Sequence, residues 1–292
     1  MAIFVSQDTR VLVQGMTGRS GTFYTDLAMR YGSNYVAGVR PGKGGTSHLG
    51  LPVFHSATEA VAETGANASL IVVPAHRAAD AMVEAVEAEI GVIVCVTERV
   101  PQHDMARVKS ALSGSQSILI GPNSQGILSP DLCKIGVMPT TQAKPGFVGI
   151  ASRSASLTSE ILARASAAQL GQSTTVGIGG DAIHGIGFVE CLKAFRDDPE
   201  TRCVVLIGEI GGREEEKAAA YLAATDYGKP VVALVVGRHA PTARRMGHAG
   251  TLSVFGAQPV QAKIDLLAAA GVIMAHNADD VVPRIIEIMN IK

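Results

Sequence analysis

Arg10-Val11-Leu12-Val13-Gln14-Gly15-Met16-Thr17-Gly18-Arg19-Ser20-Gly21 decides the fold of this chain. An apolar, β-branched run ends in a glycine turn, and the turn opens into helix-forming sequence over residues 23–31. Such strand–turn–helix units build parallel sheets whose ligands sit where strand gives way to helix. Glycines let the backbone approach an anion, and the N–H groups of the first helical turn stabilise it together with the helix dipole. The spacing is G-x-x-G-x-x-G rather than the G-x-G-x-x-G of a dinucleotide fold, and the second strand ends Gly38-Val39-Arg40 without an acid for a ribose. Arg40 suits a 2′-phosphate, which keeps NADP open. Pro41-Gly42-Lys43-Gly44-Gly45-Thr46 adds a cation and more backbone donors, as a ligand with several phosphates needs, or else is a solvated loop.

Outward from this turn, β-branched runs alternate with Ala-, Glu- and Leu-rich stretches at helical spacing. Strands are predicted over residues 10–14, 35–39, 69–73, 91–96 and 117–120, and helices over 23–31, 57–63, 77–87 and 104–112. Together they make a first doubly wound domain, residues 1–122. Residues 123–146 hold Gly, Pro, Asn and Ser without a period and read as a linker. In residues 147–292, strands at 147–151, 173–178, 203–207, 230–236 and 272–275 alternate with helices at 157–168, 188–195, 214–224, 260–269 and 278–289. The fold class is α/β with two doubly wound domains.

Of 292 residues, 47% are apolar and 17% charged, which supplies two cores and argues against a disordered or polybasic chain. Lys plus Arg number 25 against 26 Asp plus Glu, so no overall field draws nucleic acid or an anionic membrane. Any bound anion must be held locally. The four cysteines form no C-x-x-C pair and no metal spacing with His, which reads as a reducing compartment. No basic n-region and long apolar h-region open the chain, and the longest apolar run, residues 266–275, is about half a bilayer span. A cytoplasmic protein is predicted, or a mitochondrial-matrix one if a transit segment has been removed.

Four segments of the second half carry chemistry. Ser152-Arg153-Ser154-Ala155-Ser156 is a hydroxyl-rich helix start that either caps its own N–H groups or offers them to phosphate. Gly177-Ile178-Gly179-Gly180-Asp181 and Gly208-Glu209-Ile210-Gly211-Gly212 follow apolar strands, at the sheet end where ligands bind. Met246-Gly247-His248-Ala249-Gly250 sets an imidazole between glycines; a ring nitrogen can accept a group while a carboxylate orients the other, and Glu209 is the best candidate for that carboxylate.

In this order, Gln14-Gly15, Thr17-Gly18, Pro41 to Gly45, Gly50 to Phe54, Thr97-Glu98, Gly121-Pro122-Asn123, Cys133 to Gly136, Ser152-Arg153-Ser154, Gly177 to Asp181, Gly208 to Gly212 and Met246 to Gly250 resemble the α subunit of succinyl-CoA synthetase and related nucleoside-diphosphate-forming acid–CoA ligases. The resemblance runs nearly the length of the chain. It implies an N-terminal Rossmann-like CoA-binding domain and a C-terminal flavodoxin-like ligase domain. It further implies that Thr17, Gly18, Arg19, Ser20, Lys43, Val96, Thr97 and Glu98 contact CoA, that His248 is transiently phosphorylated and that Glu209 orients it. Asn123, Ser154, Ala155, Ser156 and Ser159 fall on the acid and phosphate pocket. No P-loop is present, so ATP or GTP with Mg is implied to bind an ATP-grasp β subunit, in a heterodimer or heterotetramer.

The chain departs from the family where Ser159 stands for a Tyr, Ser124 for a Cys and Ala182-Ile183-His184-Gly185 for a Pro-rich stretch. These changes lie beside the acid pocket, so a small di- or substituted carboxylic acid is expected, with His184 and Arg213 as added cations. Two other readings stand beside the ligase: an NADP-dependent oxidoreductase, and a CoA-sensing protein without chemistry.

Overall fold

The computed structural model describes residues 2–238, 240 and 259–291. The chain packs as two compact units, one of Phe4–Met138 with Ile183–Gly185, the other of Met1–Ile3, Pro139–Ala182 and Ile186–Lys292.

The first unit runs β1 (Val11–Gln14), α1 (Arg19–Tyr31), β2 (Tyr35–Val39), β3 (Thr46–His48), β4 (Leu51–Phe54), α2 (Ala57–Thr64), β5 (Ala68–Ile71), α3 (Ala75–Glu87), β6 (Val92–Cys95), α4 (Gln102–Leu112) and β7 (Ile118–Ile120). Its sheet order is β3-β4-β2-β1-β5-β6-β7, with only β3 antiparallel to its neighbour. Strands β1, β5 and β6 are wholly buried, which explains their mainly apolar sequences; the polar exceptions, Gln14 and Ser69, bond to each other. Successive strands go to one side of β1 and then, from β5, to the other, so β1 and β5 bracket the switch point where such sheets bind ligands.

Residues 123–146, which the sequence reads as a linker, contain an antiparallel hairpin of β8 (Gly126–Ser129) and β9 (Cys133–Gly136). It clusters with the first unit, and the Tyr35 hydroxyl donates to the Lys134 carbonyl.

The second unit runs β10 (Pro145–Ser152), α5 (Ala155–Ala167), β11 (Gln172–Gly177), α6 (Phe188–Asp197), β12 (Cys203–Glu209), α7 (Glu214–Ala223), β13 (Val231–Val236), α8 (Val260–Ala269), β14 (Ile273–Met274) and α9 (Ala278–Ile288). Parallel pairing gives the order β14-β13-β12-β10-β11, the flavodoxin-like winding. Its switch point lies between β10 and β12. Phe188 and Phe195 on α6 are fully buried, each worth about 1.5–3 kcal/mol of stability. No helix among the described residues is long and apolar enough to cross a membrane.

Candidate functional site

In the first unit, a cavity of about 770 Å³ opens at the switch point, lined by Gly15, Thr17 and Gly18 after β1, Arg40 after β2, and Val73 and Pro74 after β5. Gly15 has φ +95°, and a Cβ there would lie 2.7 Å from the Val72 carbonyl oxygen, so only glycine makes this turn without displacing the β5 loop. Beneath it, buried Gln14 is fully engaged. Its amide donates to the Ala81 carbonyl (2.9 Å) and Glu84 Oε2 (2.8 Å), and its oxygen accepts from Ser69 Oγ (2.8 Å). The floor of the turn is therefore rigid while its rim faces the cavity.

Thr17 and Gly18 border the cavity, whereas Arg19 and Ser20 are exposed in the first turn of α1 and Lys43 is exposed on its loop. Arg40 donates to Thr17 Oγ1 at 2.5 Å, placing its guanidinium on the cavity rim. Val96, Thr97 and Glu98 follow β6 outside the cavity lining. Thr97 Oγ1 donates to the Val73 carbonyl (2.7 Å), and the Asn123 N–H donates to the Thr97 carbonyl (2.9 Å), tying three loops at one edge of the sheet. His76, Arg77, Asp80 and Glu84 of α3 also line the cavity, a wall that the glycine motifs do not announce.

In the second unit, the switch point is occupied by a buried ion pair. Glu209 ends β12 and Arg153 follows β10; Arg153 Nη2 lies 3.3 Å from Glu209 Oε1, and their side chains are 1% and 8% exposed. The Arg153 N–H donates to the Ile207 carbonyl (2.9 Å), fixing the pair to the sheet. Ser154 caps α5 by accepting from the Leu157 N–H (3.4 Å), so part of its hydroxyl capacity serves the helix. Ala155 and Ser156 are exposed on the first turn of α5, where a helix dipole favours an anion. The Ser159 hydroxyl donates back to the Ala155 carbonyl (3.2 Å). Arg213 is exposed at the start of α7, and His184 belongs to the stretch that clusters with the first unit. His248 and its flanking glycines lie outside the described residues.

Sequence reasoning assigned Arg153 no role and passed over Glu215 and Lys263 entirely. The acidic run Glu214-Glu215-Glu216 looks like a solvated helix start, yet Glu214 and Glu215 are 5% and 1% exposed. Among the described residues, no group of three or more His, Cys, Asp or Glu could hold a metal ion. All four cysteines are buried and none is in a disulfide; burial raises the thiols of Cys133 and Cys203 to about 12.

Comparison with known proteins matches residues 6–99 to a CoA binding domain and residues 151–273 to a CoA-ligase domain. Succinate–CoA ligase (ADP-forming) subunit alpha 2 of Archaeoglobus fulgidus is 50% identical over 99% of this chain and 100% of that protein. The corresponding subunit alpha of Staphylococcus aureus is 45% identical over 98% of this chain and 95% of its own. Among solved structures, an ATP citrate lyase from Methanosaeta concilii in complex with (3S)-citryl-CoA matches 99% of this chain with a TM-score of 0.87 at 22% identity. A dinucleotide-forming acetyl-coenzyme A synthetase from Ca. Korarchaeum cryptofilum matches 94% with a TM-score of 0.77 at 18% identity. This chain spans 50% and 59% of those two longer chains, and the likeness concerns the fold. Two domains matched in order and half-identity across full length leave one conclusion: the chain belongs to the succinate–CoA ligase α-subunit family and is an acid–CoA ligase subunit.

Proposed function

We propose that this α subunit works with an ATP-grasp β subunit, in a heterodimer or heterotetramer, to make an acyl-CoA from a small di- or substituted carboxylic acid, CoA and ATP or GTP. The β subunit binds the nucleotide with Mg. The observation that carries the reading is the buried Arg153–Glu209 pair at the switch point of the second unit, a carboxylate held in place where a chemical site belongs. Glu209 orients one ring nitrogen of His248 while the other takes the γ-phosphoryl group, the bond to the nucleoside diphosphate breaking as the P–N bond forms. A carboxylate oxygen of the acid then takes the phosphoryl group from His248. The CoA thiol, giving up its proton, attacks the acyl carbon, and phosphate leaves with the electrons of the C–O bond. The first turn of α5, with Ser154, Ala155, Ser156 and Ser159, serves the acid and phosphate oxygens.

CoA is proposed to occupy the first unit, with Thr17, Gly18, Arg19 and Ser20 toward its phosphates and Lys43, Val96, Thr97 and Glu98 around it. The cavity supports this: its volume and its glycine turn fit a polyphosphate ligand. The cysteine usage and the bacterial and archaeal relatives support a cytoplasmic location. The test is reconstitution with the β subunit and γ-labelled nucleotide. Wild type should label at His248 and make acyl-CoA, and His248→Asn should do neither. Full ligase activity in His248→Asn would overturn the reading.

A further inference from the structure

Lys263, on α8, is fully buried, which is unusual for a lysine, and its ammonium has three protons to place. They go to the Gly211 carbonyl (2.6 Å), the Gly212 carbonyl (3.1 Å) and Glu215 Oε2 (2.5 Å). The Glu209 carbonyl is 3.5 Å away and Glu216 Oε2 3.6 Å away. Glu215 is itself 1% exposed, and its other oxygen, Oε1, accepts from the Glu209 N–H at 3.0 Å. One ion pair thus grips both ends of the loop that follows β12: Glu215 holds the backbone of Glu209, and Lys263 holds the carbonyls of the two glycines that close the turn. The loop is shaped to the grip, because a Cβ on Gly208 would lie 2.4 Å from Glu215 Oε1.

A buried ion pair of this kind is a poor means of stabilising a core, since apolar residues of the same volume do as well or better. Its worth lies in geometry. Gly211 and Gly212 both have positive φ, a conformation that glycines leave as readily as they enter, so this turn needs an external hold. We propose that Lys263 and Glu215 are positioning residues that fix the Glu209 loop for phosphoryl transfer. This rests on the assignment of Glu209 as the residue that orients His248. Arg153 sets the carboxylate of Glu209, and the Lys263–Glu215 pair sets its backbone.

The test uses the α subunit assembled with its β partner and compares wild type, Lys263→Met/Glu215→Gln, Glu209→Gln and the triple variant. The double variant removes both charges of the pair together, so of the acids at this ammonium only Glu216, 3.6 Å from it in the wild type, loses a cation. Three readouts are taken: initial rate of phosphoryl labelling from γ-labelled nucleotide, CoA affinity by calorimetry, and hydrogen exchange at the amides of Gly208 to Gly212. The double variant should bind CoA within about twofold of wild type, exchange the Glu209 amide at least about tenfold faster, and label up to about 10²-fold more slowly with an unchanged nucleotide KM. In the Glu209→Gln background the same change should add less than about twofold to the loss of rate, because both act through one group. Unchanged exchange in the double variant overturns the proposal whatever the labelling shows. Losses that multiply in the triple variant overturn it too, since the pair would then act independently of Glu209. Absence of label in wild type would instead sink the phosphohistidine reading, and the exchange measurement would still decide whether the loop is held.

Discussion

Replacing Arg153 by Met isolates the balance struck at the second switch point. The change leaves the Glu209 carboxylate buried beside an apolar chain, and breaking a buried pair by removing one partner costs about 3–5 kcal/mol. Arg153 also brings a burden of its own: its Nε and Nη1 are buried with no hydrogen-bond partner among the described residues, and an unsatisfied donor costs about 1–3 kcal/mol. Removing the guanidinium relieves both donors, about 2 kcal/mol together at the low end of that range, so the net loss should be only about 2 kcal/mol. For a unit of this size the melting temperature should fall by roughly 6 °C, read by scanning calorimetry on the chain alone. Arg153→Met/Glu209→Gln takes away both charges and should melt at or above wild type, within the range in which apolar replacement of buried pairs is neutral or stabilising. That double variant should nevertheless lack ligase activity when assembled with the β subunit. An Arg153→Met chain melting within about 1 °C of wild type, or a double variant less stable than both singles, would refute the reasoning.

Gly15→Ala should raise the CoA Kd by about tenfold in calorimetry, because a left-handed alanine costs roughly 1–2 kcal/mol and its Cβ meets the Val72 carbonyl. Lys43→Glu should weaken CoA by about 1 kcal/mol, and the effect should shrink in high salt because Lys43 is exposed. At pH 8 a thiol raised to about 12 is on the order of 10⁻⁴ thiolate, so Cys133 and Cys203 should resist a disulfide reagent in the native chain and react once it is unfolded. Their pKa is raised by burial, so the small thiolate fraction of the native chain should rise about tenfold per pH unit and level off only above that value. Ser159→Tyr should lower kcat/KM for a substituted acid relative to succinate by about tenfold, the scale on which pocket size discriminates substrates; an unchanged ratio removes Ser159 from the acid pocket.

The glycine turn after β1 was legible because everything that makes it is local: a buried β-branched run, a residue with positive φ and a helix start within a dozen positions. The same holds for the large helices, whose apolar spacing needs no distant partner. The two hairpins were missed for different reasons. Between β3 and β4 the turn places Leu49 and Gly50 at φ 53° and 77°, a geometry usually announced by Asn-Gly or Asp-Gly, and Leu at its first position hides it. Strands β8 and β9 are buried on both faces, so their side chains show no polar–apolar alternation and their glycines and serines read as loop.

The candidate site divides along the same line. The loop after β12 could be named from sequence because glycines at a strand end constrain the backbone locally, and an acid among them has few structural duties. What holds that loop could not be named, because Lys263 and Glu215 meet across 48 residues of chain and their pairing depends on which way two glycine carbonyls turn. A lysine in a helix reads as a side chain that reaches solvent, and three acids at a helix start read as a response to the dipole. Yet the dipole is met by one or two exposed carboxylates. Glu214 is answered on its own helix by Lys217 (2.7 Å), but the nearly inaccessible Glu215 behind the Gly-Gly turn demands a buried cation, and that cation comes from a helix packed against α7. α7 and α8 are packed together, which is why Lys263, far along the chain, answers charges placed just after Glu209.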